Sequence, residues 1–348
     1  MKKSILLLLF AGLLSVTALQ AQFSLQKAVL EVFTGSWSQY STDAIVKLDS
    51  ALIGHNFAFP VNVHTSDSMA TPEGTDLDLF YSALYPIMNI NRSGSLKSRT
   101  LWSSSVSSVL AGAASVTVEF DSVQYNTGSR QLDVYIKALF TGTVTGDLRF
   151  NCVVVEDSVV GSGAGYDQAN YYNTISGHTY YGAGDPVVGL PHRYVARAYL
   201  GGTWGTSGII PSSVVFGQTF TQHYTYTVPA GFNPAMISLV GMVSFYNGNN
   251  PADRAILNAE RWPHITNPVA LQVPAQTSES FSMYPNPVAS CLMLHSTAEG
   301  PMSIVNQLGE TVLTRFLTRG NNQITFHLPS GTYWVMFNSA VKKLMVTE

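Results

Sequence analysis

Charges are sparse in this chain of 348 residues: Asp, Glu, Lys and Arg make up 11%, against roughly 25% in ordinary soluble proteins, while Gly, Ser, Thr, Asn and Tyr abound. The net charge is −3 and no basic run occurs, which excludes the clustered Lys and Arg of a nucleic-acid-binding surface or a polybasic membrane patch. At roughly 100–200 residues per domain, the length predicts two or three domains.

Lys2 and Lys3 precede an apolar run over 5–14 and a small-residue stretch ending Ala18-Leu19-Gln20-Ala21, the order of a signal peptide cleaved near Ala21. The run is too short for a bilayer, which needs about 20 residues, and no later run of about 18 apolar residues predicts a membrane helix. The chain is therefore expected to be exported and, once cleaved, soluble, with no Cys at its new N-terminus to carry a lipid. Cys152 and Cys291 fall in different predicted domains and are expected to be buried, unpaired thiols; a bridge between them stays open as the alternative.

Residues 28–33 read as a strand, followed by the turn Thr34-Gly35-Ser36-Trp37-Ser38 and a helix from Thr42 with Ala44, Ile45, Leu48 and Leu52 on one face. Asp43 suits the positive N-terminus of that helix. A strand over 57–64, a helix over 75–84, Tyr85-Pro86 and a strand over 87–91 complete an α/β alternation. The run from Leu30-Glu31-Val32-Phe33 through Trp37-Ser38-Gln39-Tyr40-Ser41 resembles the opening of a thioredoxin-like domain, whose first strand leads into a Trp-Cys-x-x-Cys turn at a helix N-terminus. Ser38 and Ser41 occupy both cysteine positions, and Pro86 falls where that fold places a proline, often cis. A serine hydroxyl has a far higher pKa than a thiol and forms no disulfide, so thiol–disulfide exchange is not expected.

Residues 99–113 predict a linking helix through Trp102, Val106, Val109 and Leu110, after which the period changes to two. Val116/Val118/Phe120, Leu132/Val134/Ile136/Ala138, Leu148/Phe150/Cys152/Val154, Phe220/Tyr224/Tyr226/Val228 and Ile237/Leu239/Val243/Phe245 predict an antiparallel β-sandwich. The Gly-, Tyr- and Asn-rich stretch 161–189 is expected to be an extended loop on that sandwich. With Val61-Asn62-Val63-His64 leading to Asp67 and Met69, with Asn91-Arg92, and with the run from His192-Arg193-Tyr194 to Trp204-Gly205, most of 25–262 resembles the twenty-eight-kilodalton outer-membrane-protein (Omp) family of Bacteroidota. That resemblance implies an exported, surface-associated protein with no established reaction.

Residues 264–280 lack periodicity and read as a linker. Beyond it lie Tyr284-Pro285-Asn286-Pro287, Gly309, Gly331-Thr332-Tyr333 and Lys342-Lys343, an order similar to the C-terminal sorting domain of the type IX secretion system. The resemblance implies a small Ig-like sandwich that engages the type IX secretion machinery and is removed by a sortase-like peptidase. The prolines fix an extended approach, Gly309 supplies a positive φ, and Thr332, Tyr333, Trp334 and Val335 are good strand formers. The expected organisation is a mainly β multidomain chain: signal peptide 1–21, thioredoxin-like unit 25–98, β-sandwich 99–263, linker 264–280 and sorting domain 281–348.

Candidate constellations are few. His178, Asp185 and His192 offer three N/O ligands, but their spacing matches no metal motif, and exposed loop histidines are expected. His64 and Asp67 near Ser38 and Ser41 suggest a Ser/His/Asp set, yet neither serine lies in a Gly-x-Ser-x-Gly elbow. Glu119, Asp121, Asp133 and Glu156 fall on outward strand positions or strand ends, as solvated faces do, and no phosphate loop occurs. Tyr166, Tyr171, Tyr172, Tyr180 and Tyr181 compose a ligand-binding surface or a self-packed loop. Asp-Ser-apolar triplets at Asp49, Asp67, Asp121 and Asp157 match the O-glycosylation pattern described in Bacteroidota and are short enough to arise by chance. No catalytic residue, cofactor or metal is expected; the expected function is a non-catalytic surface or secreted binding protein of adhesin type. The alternatives are a secreted hydrolase with an unrecognised site and a structural envelope component.

Overall fold

Every residue of Ala28–Thr34 (β1) is buried, because the strand has a neighbour on each side in its sheet and is covered on both faces. It leads into α1 (Ser41–Leu52), β2 (Ala58–His64), α2 (Pro72–Tyr81) and β3 (Ile87–Ile90). The Tyr85–Pro86 peptide is cis. A short 3-10 turn and α3 (Trp102–Leu110) follow. The strands β4 (Val116–Tyr125), β5 (Gln131–Phe140), β6 (Leu148–Glu156), β7 (Val195–Tyr199), β8 (Thr219–Thr227), β9 (Ile237–Phe245) and β10 (Ile256–Trp262) complete the first unit. The structure is a computed structural model that describes residues 24–248, 250, 254–266, 281–306, 311–337 and 340–347. The predicted signal peptide, most of the predicted linker and Gly309 lie outside those residues.

The strands form a seven-stranded sheet in the order β10-β9-β6-β7-β2-β1-β3 and a three-stranded sheet in the order β8-β5-β4. The larger sheet runs across position 98/99, where a domain boundary was expected, and the compact unit extends over Met1–Pro268. The join is made where β7 runs parallel to β2 at Val195 and Asn62, reinforced by Asn62 N–H donating to Tyr194 O at 2.7 Å. A single parallel bridge between segments so far apart in sequence leaves no local pattern to read.

Alternation along the strands sets the layers. Val29, Phe33, Val61, Val63, Val153 and Val155 meet Leu77 of α2 on one face. On the other face Leu30 and Val32 meet Leu48, Trp102 and Val106 of α1 and α3, and beside them Phe150, Cys152 and Val154 pack against Val134 and Ile136 of the small sheet. The two sheets approach closely at Gly241, where an added Cβ would lie 3.0 Å from both Ile136 and Phe120. The Asn91-Arg92 pair is structural: Asn91 accepts Val29 N–H at 2.7 Å, and the buried Arg92 forks onto Glu31 at 2.7–3.1 Å while donating to Thr203 O.

The second unit, Val269–Glu348, divides from the first inside the predicted linker. It holds β11 (Phe281–Tyr284), β12 (Cys291–Ser296), β13 (Gly300–Val305), β14 (Thr311–Leu317), β15 (Gly320–Thr325), β16 (Gly331–Phe337) and β17 (Ala340–Val346). They form two antiparallel sheets, β11-β12-β15 and β14-β13-β16-β17, around Phe281, Leu292, Leu294, Ile304, Val335, Phe337 and Leu344. The Tyr284-Pro285-Asn286-Pro287 motif has a local function here. Both X–Pro bonds are cis, and Asn286 clips this segment to the last strand, donating to Lys343 O at 2.7 Å and accepting Met345 N–H at 2.8 Å. Tyr333 Oη donates to Pro329 O at 2.9 Å, closing the turn before Gly331, and Lys342 Nζ lies 5.4 Å from the Phe281 ring centre.

Candidate functional site

The β1–α1 turn that carries the two serines is wound tightly, with Ser38 N–H donating to Gly35 O and Ser41 N–H to Ser38 O. Ser38 and Ser41 are only 4% and 2% exposed, and the cis Pro86 is buried as well. What covers the turn is the stretch between β6 and β7. The expectation that 161–189 lies on the sandwich is corrected here: it straps over the β1–α1 turn instead. Ala169 N–H donates to Ser36 O at 2.7 Å, Tyr171 N–H to Gln39 O at 3.0 Å and Ser68 N–H to Gly165 O at 3.1 Å.

Two buried amides hold the strap. Gln168 Nε2 donates to Ser36 O, Ser38 O and its own neighbour Ala169 O at 2.9–3.1 Å. Asn170 donates from its side chain to Tyr180 O and Gly184 O and from its backbone N–H to Asp185 Oδ1, and its Oδ1 accepts Tyr172 N–H and Thr42 Oγ1–H. The physical reason is accounting: carbonyls of a turn buried away from water need donors, and side-chain amides supply several from one residue.

Beneath the strap His64 Nδ1–H donates to Asp67 Oδ2 at 2.7 Å, and Asp67 also accepts Ser36 N–H and Met69 N–H. Burial pushes the Asp67 carboxyl up, but the hydrogen bond and charge of His64 and the two amides outweigh it and hold it below the usual range. His192 packs edge-on against His64, ring centres 5.3 Å apart, and donates from Nε2 to Tyr166 O at 2.6 Å. Burial and the neighbouring His64 hold the His192 imidazole below its ordinary value. Between these groups, Thr34, Ser41, Asn62 and Gln168 lies a cavity of about 30 Å³, room for one or two waters.

The imagined triad is therefore half assembled. His64 and Asp67 are paired, whereas Ser41 Oγ accepts from Thr34 Oγ1 at 2.9 Å, and among the described residues no hydrogen bond joins either serine to His64. His178, Asp185 and His192 are tied to separate partners, His178 to Asp43 and Asp185 to Asn170, and no group of three such ligands converges among the described residues. The buried His192 corrects the expectation of exposed loop histidines. Glu119 and Asp121 face Lys137 at the surface and Asp133 meets His223. Glu156 is instead buried, 3.2 Å from Arg197, its carboxyl pushed up by burial. Cys152 and Cys291 are free thiols, the first made inert by burial that raises its pKa.

The strap presents aromatic rings to solvent. Tyr171 and Tyr181 are 48% and 57% exposed, whereas Tyr172 and Tyr180 are half-buried. Tyr40, 41% exposed, joins them, its ring centre 5.0 Å from that of Tyr171. Tyr172 stacks on His178 at 3.9 Å, and Arg99 donates to Tyr172 Oη at 3.2 Å while pairing with Asp43. Sequence reasoning missed Tyr40 and Arg99. The signal was present only for Tyr40, as an aromatic directly before the second serine of the turn.

Fold and site together define a β-rich protein with a covered, serine-bearing β1–α1 turn and a separate tail domain. Residues 282–347 match the family described as "Secretion system C-terminal sorting domain". That tail places the protein with the type IX secretion machinery and on the cell surface or in the medium. No curated protein matches the chain. Among solved structures, HBP35 of Porphyromonas gingivalis is similar with a TM-score of 0.55 at 16% identity, over 93% of this chain and 98% of that one. A domain of the outer membrane lipoprotein Omp28 from Porphyromonas gingivalis has a TM-score of 0.26 at 15% identity, over 43% of this chain and 88% of that one. The first likeness is one of fold. No helix among the described residues is long and apolar enough to cross a membrane.

Proposed function

We propose that this is a non-catalytic binding protein of adhesin type, in which the serine-substituted turn is a scaffold and the strap over it presents the ligand-binding face. The observation that carries this reading is the use of Gln168 and Asn170: both are buried, and their amides are spent on the turn and on the strap itself. A substrate-binding groove is closed by that arrangement, while Tyr40, Tyr171 and Tyr181 are held outward. Rigid, half-exposed tyrosines bordered by Arg99, Asp43 and His178 suit a glycan or a polar protein surface, because they offer large contact area at little entropic cost. A hydrolase would need a cleft with convergent polar groups, and the space beside Ser41 and His64 holds only a water or two.

The test is an array of glycans and matrix proteins probed with the exported chain and with Tyr171→Ala/Tyr181→Ala. Binding that falls at least tenfold in the double variant supports the reading. No binding anywhere, or equal binding by both forms, contradicts it. In the same reading the tail is cut off by a sortase-like peptidase after export.

A further inference from the structure

β8 ends the three-stranded sheet, and among the described residues nothing pairs with its outer edge. Which residues face that edge follows from the ladder to β5. Val228 N–H donates to Arg130 O and Phe140 N–H to Gln218 O, in register with the nine unbroken pairs from Thr219↔Leu139 to Thr227↔Gln131. In an antiparallel ladder bonded residues alternate, so even-numbered residues of β8 turn their backbone to β5. Thr219, Thr221, His223, Thr225 and Thr227 therefore turn N–H and C=O outward. The carbonyl of His223 takes the side-chain amide of Gln222 at 2.6 Å instead, as an acceptor without a strand partner does.

Natural edges are blunted by charge, proline, bulges or cover, and the other edges of this unit show it. β4 carries Glu119 and Asp121 and a bulge between Phe120 and Ser122. β3 is only four residues long and bridges to Lys97, and Asn258 ties β10 to Lys27, Leu25 and Val116. β8, Thr-Phe-Thr-Gln-His-Tyr-Thr-Tyr-Thr, has no Lys, Arg, Asp, Glu or Pro and no bulge.

The same nine residues are self-complementary. A two-fold axis through His223 sets Thr219 against Thr227 and Thr221 against Thr225 on the outer face, and Phe220 against Tyr226 on the inner face. Threonine–threonine and aromatic–aromatic pairs are among the favourable cross-strand neighbours; the axis sets His223 against its own copy, each imidazole beside an Asp133 carboxylate, and no Lys, Arg, Asp or Glu of β8 meets its like. All outward N–H groups reach outward carbonyls of the other copy, and the half-buried Phe220 and Tyr226 gain cover. We propose that β8 is the interface of a symmetric homodimer, pairing antiparallel with β8 of a second copy so that two three-stranded sheets become one of six strands, an isologous contact as a two-fold requires.

Sedimentation equilibrium of the exported chain is expected to give twice the chain mass. Thr221→Lys/Thr225→Lys sets lysine against lysine across the axis and is expected to give the single mass. Thr221→Glu/Thr225→Lys sets glutamate against lysine at both symmetric positions, with Lys137 and Asp133 as their favourable neighbours in the same sheet, and is expected to restore the double mass. Both variants alter the same exposed sites, so a folding defect cannot imitate the difference. A single mass for the unaltered chain, a double mass for the lysine pair, or a single mass for the Glu/Lys variant overturns the proposal.

Discussion

Gln168 illustrates how a polar residue becomes structural. Its Nε2 reaches three carbonyls at 2.9–3.1 Å, so Gln168→Ala leaves buried acceptors without a donor, at about 1–3 kcal/mol. Urea unfolding is expected to show a lower midpoint with an unchanged m value. Arg92 poses the charged version of the same problem. Arg92→Met strands the buried Glu31 carboxylate, and a loss of about 3–5 kcal/mol is expected, whereas Arg92→Met/Glu31→Gln recovers a large part of it because no buried charge is left. Such residues are hard to read from sequence. Gln168 and Asn170 sit among glycines and tyrosines, a composition that predicts an exposed loop, and only the geometry of the turn beneath them reveals the donors it requires. The serine positions were legible, because the strand, turn and helix around them carry a dense local pattern.

At the scale of the element, the strap is the part whose stability should follow pH. The His192 imidazole is held below its ordinary value in the folded chain, so the unfolded chain takes up its proton first, and stability declines as pH falls below about 6.5. Asp67, held below the usual range, adds stability above that range and loses it as pH falls through its depressed value. The groups facing His192 are His64, Asp67, Asp167 and the Tyr166 carbonyl, and protonation of His192 sets its charge beside His64. Lower protection of amides 166–171, taken as exchange relative to each amide's intrinsic rate at that pH, is expected at about pH 5.5 than at neutrality, with His192→Gln flattening the difference. The strap also makes a chemical forecast about the turn: in Ser38→Cys/Ser41→Cys both thiols should resist a bulky thiol reagent in the native state and react on unfolding. Immediate native reactivity would show that the turn is open. The strands β4, β5, β6 and β9 were legible from period-two alternation, but their partners were not. β9 and β6 are buried on both faces, and the second face joins the layer that Leu77 of α2 packs against, with Val29, Phe33, Val61 and Val63 beside it in the same sheet, all distant in sequence.

For the whole molecule, two units with separate cores match two tasks. The tail, matched over 282–347, serves export, and its motif was legible because Tyr284-Pro285-Asn286-Pro287 acts locally, with Asn286 clipping the segment to Lys343 and Met345. The first unit carries the aromatic face, and pairing through β8 would present that face twice, gaining avidity without a new contact. The measurement that reaches furthest is intact-mass and terminal-sequence analysis of the protein recovered from the native culture, surface and medium taken separately. The expected result is a chain lacking about 21 residues at the front and ending within 264–280, found on the surface or in the medium. A chain retaining its C-terminus and confined to the periplasm would contradict export through the tail, and with it a surface role for the tyrosine face.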